Sequence, residues 1–92
     1  MNQTIWKFIL PIDGKSVVSM PTNSEILTVQ MQGADICIWA LVYPEHGKVE
    51  RTFEVFGTGH PIHSDMGIER KYIGTIQMYG GDLVYHIFER LD

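Results

Sequence analysis

The stretch EILTVQMQ, residues Glu25–Gln32, is the clearest secondary-structure signal in the chain. Its apolar side chains stand at every second position, namely Leu27, Val29 and Met31, and polar side chains fill the positions between them. This alternation is typical of a β-strand with one buried face and one face in water. The segment therefore predicts a strand in a sheet that is buried on one face and exposed to water on the other.

Comparable runs recur along the chain between turn signals, and no segment keeps apolar residues at helical spacing for three turns. The predicted strands are residues 4–12, 15–20, 25–32, 36–43, 48–56, 71–79 and 82–89. We therefore expect an all-β fold: one domain of residues 1–92, with about seven strands in an antiparallel meander that forms a barrel or a two-layer sandwich.

The turns and faces of these strands carry further expectations. Asp13-Gly14 and Gly80-Gly81 have the chemistry of tight hairpins, so each is predicted to join two neighbouring strands. Residues 36–43 are apolar on both faces, which predicts a strand covered on both sides or lying at a subunit interface. Residues 48–56 carry Glu50, Arg51 and Glu54, which predicts a more exposed strand.

Composition excludes several classes of protein. With 45% hydrophobic residues among 92, the chain is too apolar to be disordered, and the single cysteine, Cys37, cannot form an internal disulfide. A net charge of −4 offers no attraction for nucleic acid, and no segment has the length of apolar residues that spans a membrane or the pattern of a signal peptide. We expect a soluble protein of the cytoplasm that binds neither nucleic acid nor membrane.

The segment from Gly57 to Arg70 breaks the strand pattern, and loops of this length in small domains are often functional. Glycines let backbone N–H groups approach an anion closely, and nearby hydroxyl, imidazole and cationic groups add donors. The candidate residues for a small anionic or nucleotide ligand are Gly57, Thr58, Gly59, His60, Arg70 and Lys71. The alternative is a purely structural loop in which Ile62, Met66 and Ile68 pack back on the sheet.

Other chemistry has weaker support in the sequence. His60 and His63 stand three residues apart with Asp65 nearby, but no further ligand has metal-site spacing, so no metal and no cofactor are expected. His86 lies in a predicted strand, where a histidine hydrogen-bonded within the sheet is the simpler account. Cys37 lies in the most apolar strand, where a thiol is inert, and Ser64 has no surrounding nucleophile motif. No catalytic residue is predicted.

Short segments in nearly every strand form one further pattern. They are Trp6-Lys7-Phe8, Ile26-Leu27 with Val29-Gln30, Cys37 with Trp39-Ala40-Leu41-Val42, Phe56-Gly57-Thr58-Gly59-His60-Pro61-Ile62, Tyr72 with Gly74-Thr75 and Gln77, and Leu83-Val84 with His86 and Phe88-Glu89. In these segments the chain resembles a family of small uncharacterised single-domain proteins that is widespread in bacteriophage and prophage genomes. The resemblance implies a phage accessory protein in the cytoplasm of a bacterial host, and it implies no catalytic residue.

Two binding functions are expected from this setting. In one, the protein contacts a host protein, such as a defence protein, or its own copy through Trp39, Tyr43 and Phe56. In the other, residues 57–71 close over a small anionic ligand in a homo-oligomer. A decoration protein of the virion and a small enzyme, metal-dependent or otherwise, are the alternatives.

Overall fold

A computed structural model of the protein describes residues 2–12, 14–63 and 67–91. These residues form seven β-strands and one short 3-10 helix. The strands are β1 (Thr4–Leu10), β2 (Gly14–Pro21), β3 (Glu25–Gln32), β4 (Asp35–Val42), β5 (Lys48–Gly57), β6 (Arg70–Met78) and β7 (Leu83–Arg90), with the 3-10 helix at Tyr79–Gly81 between the last two. The expected all-β fold is confirmed, and each predicted strand lies within two residues of its observed bounds.

The strands form two antiparallel sheets that pack as a sandwich. One sheet has three strands in the order β1-β4-β3, and the other has four strands in the order β2-β5-β7-β6. Side chains from both sheets fill the core between them, and the fully buried ones include Ile36, Ile38, Phe53 and Ile87. Of the two architectures that the sequence left open, the sandwich is the observed one.

The chain changes sheets between β1 and β2, because β1 pairs with β4 and β2 pairs with β5. The predicted hairpin at Asp13-Gly14 is therefore wrong. Asp13 lies outside the described residues, and Gly14 begins β2 with a φ of +80°. Hairpins between strands that follow each other along the chain join β3 to β4 and β6 to β7.

The second predicted hairpin joins the expected strands through a different turn. Met78 and Leu83 are the last pair in register, so four residues, not two, connect β6 and β7. Tyr79 has a φ of +53°, and the two glycines after it also have positive φ angles. The turn therefore starts one residue earlier than the Gly80-Gly81 pair suggests.

A bulge in β3 changes the face on which one apolar residue lies. The register with β4 shifts between Ile26 and Thr28, so Leu27 is the extra residue of this strand. Leu27 is 43% exposed, and Ile26 packs against the core instead. The expected alternation holds at Val29 and fails at Leu27, because a bulge interrupts the period of two.

The predicted exposure of the fifth strand holds at residues 48–50 and is wrong at residues 53–55, which are buried in a strand that pairs with β2 on one side and β7 on the other. Lys48 and Glu50 are exposed, whereas Arg51 and Glu54 are more deeply placed and each has an ion partner. Arg51 Nε donates to Glu89 Oε2 at 2.6 Å, and its Nη1 donates to the Ser24 carbonyl at 2.6 Å. Glu54, on the other face of the strand, pairs with Arg70.

The two sheets come into close contact where β3 meets β6. A Cβ atom added to Gly74 of β6 would lie 2.7 Å from Val29 Cγ1 of β3. These strands are the last in their sheets and share no hydrogen-bonded pairing. The register of β6 shifts between Tyr72 and Gly74, so both strands at this junction carry an irregularity.

Candidate functional site

The long connection after β5 begins with a turn at residues 57–60. The His60 N–H donates to the Gly57 carbonyl at 3.1 Å, and Gly59 has the positive φ of +84° that such a turn requires. The Thr58 N–H donates to the Val84 carbonyl at 3.2 Å. The N–H groups of Thr58 and His60, which were candidates for binding an anion, are therefore already hydrogen-bonded, while the Gly59 N–H makes no hydrogen bond to a described residue.

A shallow pocket of about 180 Å³ lies beside this turn. It is lined by Gly57, Thr58, His60, Asp82, Leu83, Val84 and Tyr85. The structure thus brings together three of the six residues predicted for an anionic ligand, and Gly59 completes their turn. Asp82 places a carboxylate at the same pocket, which opposes the binding of a negative charge.

The two predicted cationic residues do not line this pocket. Arg70 Nε donates to Glu54 Oε1 at 2.7 Å, its Nη1 donates to the His63 carbonyl at 3.2 Å, and its guanidinium lies 5.7 Å from the Phe56 ring centre. Lys71 is exposed and lies opposite Glu89 in register. As successive strand residues, Arg70 and Lys71 face opposite sides of the sheet.

A chain of hydrogen bonds crosses the outer face of the four-stranded sheet through His86. Thr58 Oγ1 lies 2.7 Å from His86 Nε2, and Thr75 Oγ1 lies 2.9 Å from His86 Nδ1. The Tyr72 hydroxyl continues the chain to Thr75 at 2.5 Å. Both ring nitrogens are occupied, so His86 has the hydrogen-bonded role within the sheet that the sequence suggested. The sequence does not predict that Thr75 bonds His86 or that Tyr72 bonds Thr75, because the pairing of neighbouring strands is known only from the structure.

Neither histidine considered for metal binding belongs to a cluster of three metal-ligating side chains among the described residues. The His60 ring packs against Gly57, where an added Cβ would approach it to 2.8 Å, and His63 contributes its carbonyl to Arg70. Asp65 lies outside the described residues, as do Ser64 and Met66. Among the residues that the structure describes, no three metal-ligating side chains form a cluster.

The three residues predicted for a partner interface lie in separate places. Trp39 is on the outer face of the three-stranded sheet, where it lies opposite Lys7 and Thr28 in register. Phe56 is on the outer face of the other sheet, 5.9 Å from the Phe88 ring centre. Tyr43 lies in the turn after β4, stacked on His46 at 4.6 Å. These residues therefore do not form one patch.

Trp39 instead belongs to an apolar surface that we call face A, the outer face of the β1-β4-β3 sheet. The accessible apolar side chains of face A are Ile5, Ile9, Trp39 and Leu41, while Cys37 on the same side of β4 is fully buried. The charged residues of face A are Lys7 at the middle with Glu25 and Asp35 at strand ends. Ile5 and Ile9 are 56% and 55% exposed. The sequence indicates this face, because both sets of alternating positions in residues 4–12 are largely apolar, so either side of the strand carries apolar side chains.

A second pocket, of about 260 Å³, lies where the β3–β4 turn approaches the end of β6. It is lined by Met31, Gly33, Ala34, Gln77, Met78 and Tyr79. No predicted site residue contributes to it.

The part of the chain that the structure describes contains no helix long and apolar enough to cross a membrane. No curated protein and no solved structure matches the sequence. The sequence does match a domain family over residues 1–92, which confirms the expected membership of a small uncharacterised family. The chain belongs to DUF7352, a family described as a domain of unknown function.

Proposed function

We propose that this protein is a non-catalytic binding protein and that face A is the surface that contacts its partner protein. The observation that carries this proposal is the exposure of Ile5 and Ile9, each more than half accessible, on the same face as Trp39. Large exposed apolar side chains grouped on one face of a small domain are typical of interaction sites. Tryptophan and other large apolar residues also dominate the energy of protein interfaces.

The contrast between the two outer faces supports this choice. The outer face of the four-stranded sheet carries charged side chains across its width, namely Lys15, Glu50, Glu54, Arg70 and Arg90. The middle of face A carries one charge, Lys7. Neither of the two pockets described above is lined by a side chain of face A. Small molecules usually bind in pockets, so face A is better suited to the flat surface of a partner protein.

The resemblance of the sequence to bacteriophage accessory proteins supports a bacterial host protein as the partner and the host cytoplasm as the location. Occlusion of a defence protein is the activity that this setting favours. This part of the proposal rests on the resemblance alone, and face A supplies the surface through which occlusion would act.

A pair of glutamine substitutions tests the proposal. Gln30 is exposed on face A, and Gln77 is exposed on the outer face of the other sheet, so Gln30→Lys and Gln77→Lys add the same charge to opposite sides. Both variants and wild type are used to capture proteins from a bacterial lysate, with quantitation by mass spectrometry. We expect a protein that wild type and Gln77→Lys retain and that Gln30→Lys loses. Equal capture by all three chains would refute face A as the contact surface.

A second candidate function is the binding of a small ligand at the turn of residues 57–60. It is favoured by the pocket that Gly57, Thr58 and His60 share, and by the Gly59 N–H, which no described residue accepts. Native mass spectrometry of freshly purified protein should then show a retained small molecule. Gly59→Val should abolish retention, because a β-branched residue is strained at a φ of +84°. Retention by this variant, or a ligand-free mass for wild type, would refute the site.

A further inference from the structure

β1 exposes one whole edge of the three-stranded sheet. It pairs with β4 in an unbroken register from Thr4 opposite Val42 to Leu10 opposite Ile36. No described strand pairs with its other edge. Edge strands usually carry a proline, a bulge or several charges that prevent pairing with another chain. Thr4–Leu10 has neither proline nor bulge, and Lys7 is its only charged residue.

The one protective charge is held away from the open edge. Lys7 Nζ donates a hydrogen bond to Gln32 Oε1 at 2.6 Å, and Gln32 belongs to β3 on the far side of β4. The ammonium group is therefore directed across its own sheet. The backbone N–H and C=O groups on the open edge of β1 remain accessible to another strand.

The sequence of β1 is symmetric in its chemistry about Lys7. Residues 5–9 read isoleucine, tryptophan, lysine, phenylalanine, isoleucine, so the pattern is apolar, aromatic, cationic, aromatic and apolar from either end. Two antiparallel copies of such a strand present matching side chains to each other. This symmetry is what a twofold, self-complementary contact requires.

We propose that a second copy of this chain pairs its β1 with β1 antiparallel about a twofold axis at Lys7, which joins two three-stranded sheets into one six-stranded sheet. Ile5 then lies opposite Ile9 of the partner subunit on the side of face A. Trp6 lies opposite Phe8 of the partner subunit on the core side. Aromatic pairs and pairs of β-branched residues are favourable across antiparallel strands.

Neighbouring registers are worse. A twofold axis perpendicular to the sheet keeps each residue opposite a residue of the same face, so the register can change only in steps of two residues. Either step puts Lys7 opposite an isoleucine and leaves another isoleucine without its partner. The symmetric register has one unfavourable pair, Lys7 opposite Lys7 of the partner subunit, and the hydrogen bond to Gln32 draws each ammonium group away from the axis.

The Lys7 pair gives this dimer a signature that a dimer through any other surface lacks. Removing the repulsion with Lys7→Gln should tighten the dimer about two- to fivefold, the range expected for one cross-strand charge pair. Lys7→Glu mixed with wild type should form more heterodimer than the statistical half, since lysine then faces glutamate. Analytical ultracentrifugation measures the first effect, and native mass spectrometry measures the second.

Cross-linking tests the register itself. Lys7→Cys places two thiols opposite each other across the axis and should give a disulfide-linked dimer on a non-reducing gel. Ile5→Cys does not face itself in this register and should stay monomeric on the gel. Val17→Cys is a matched control on the edge strand β2, because Val17 is 54% exposed and Ile5 is 56% exposed. Circular dichroism confirms that each variant is folded.

These results separate the proposal from its competitors. Cross-linking through Lys7→Cys together with excess Lys7→Glu heterodimer supports the β1 contact. A wild-type chain that sediments as a monomer at all concentrations, or a dimer in which Val17→Cys links and Lys7→Cys does not, overturns it. The dimer and the proposed function are tested separately, because Gln30→Lys alters face A on β3, two strands away from the open edge of β1.

Discussion

Gly74 is the position where one methyl group should report directly on the contact between the two sheets. Its backbone lies outside the left-handed region, so alanine fits the main chain. The added Cβ would lie 2.7 Å from Val29 Cγ1, well inside normal contact distance. Val29 is buried and β-branched, so its methyl group has little freedom to rotate away.

The expected magnitude follows from two opposing terms. Overpacking a buried contact costs about 1–3 kcal/mol of stability. Replacing glycine by alanine raises stability by about 0.4–1 kcal/mol, because it lowers the conformational entropy of the unfolded chain. Gly74→Ala should therefore lower the free energy of unfolding by roughly 0.5–2 kcal/mol. In a Val29→Ala background the clashing atom is gone, and Gly74→Ala should instead raise stability.

Urea unfolding, followed by the fluorescence of Trp6 and Trp39, measures all four chains of this double-mutant cycle. We expect a coupling energy of about 1–3 kcal/mol between the two positions. Gly47→Ala is the control, since its φ is not positive and an added Cβ would meet nothing within 4 Å. Additive effects of Gly74→Ala and Val29→Ala, or equal effects of Gly74→Ala and Gly47→Ala, would refute the proposed contact.

Three further predictions concern buried groups. Arg51→Met should cost about 3 kcal/mol in urea unfolding, because it leaves the Glu89 carboxylate buried without its ion partner; a loss below about 0.5 kcal/mol, typical of a surface change, would contradict this. Ser24→Ala should cost about 1 kcal/mol in the same assay, because the buried hydroxyl donates to the Pro21 carbonyl at 2.6 Å; unchanged stability would show that the bond contributes nothing. Cys37 is fully buried, so a thiol reagent should label it only as fast as the protein unfolds; rapid labelling of the native protein would mean that β4 is accessible.

The sequence predicts the strands of this protein far better than their arrangement. Alternation in residues 25–32 and the apolar run at residues 36–43 are local patterns, and both correspond to strands in the structure. Pairing is not local. Asp13-Gly14 has hairpin chemistry, yet β1 finds its partner in β4, because burying the apolar side chains of both sheets outweighs the preference of one dipeptide.

The candidate site was predictable only in part for the same reason. The glycines at residues 57 and 59 marked a turn, and the structure has that turn. The sequence predicts Arg70 as a donor to a ligand, but in the structure it pairs with Glu54, which belongs to a strand predicted to be exposed. To predict face A, one must know which side of β1 faces the core. Both sides of residues 5–9 carry apolar side chains, so the sequence pattern does not show which side is buried.

Because the chain changes sheets after β1, the two sheets become complete at different stages of synthesis. All strands of the three-stranded sheet are contained in residues 4–42, whereas the four-stranded sheet also needs β7, which ends at Arg90. During synthesis β2 must therefore wait for β5, and both must wait for the last strand to complete their sheet. The three-stranded sheet can therefore form first, and its core-facing apolar side stays uncovered until β7 has been synthesised.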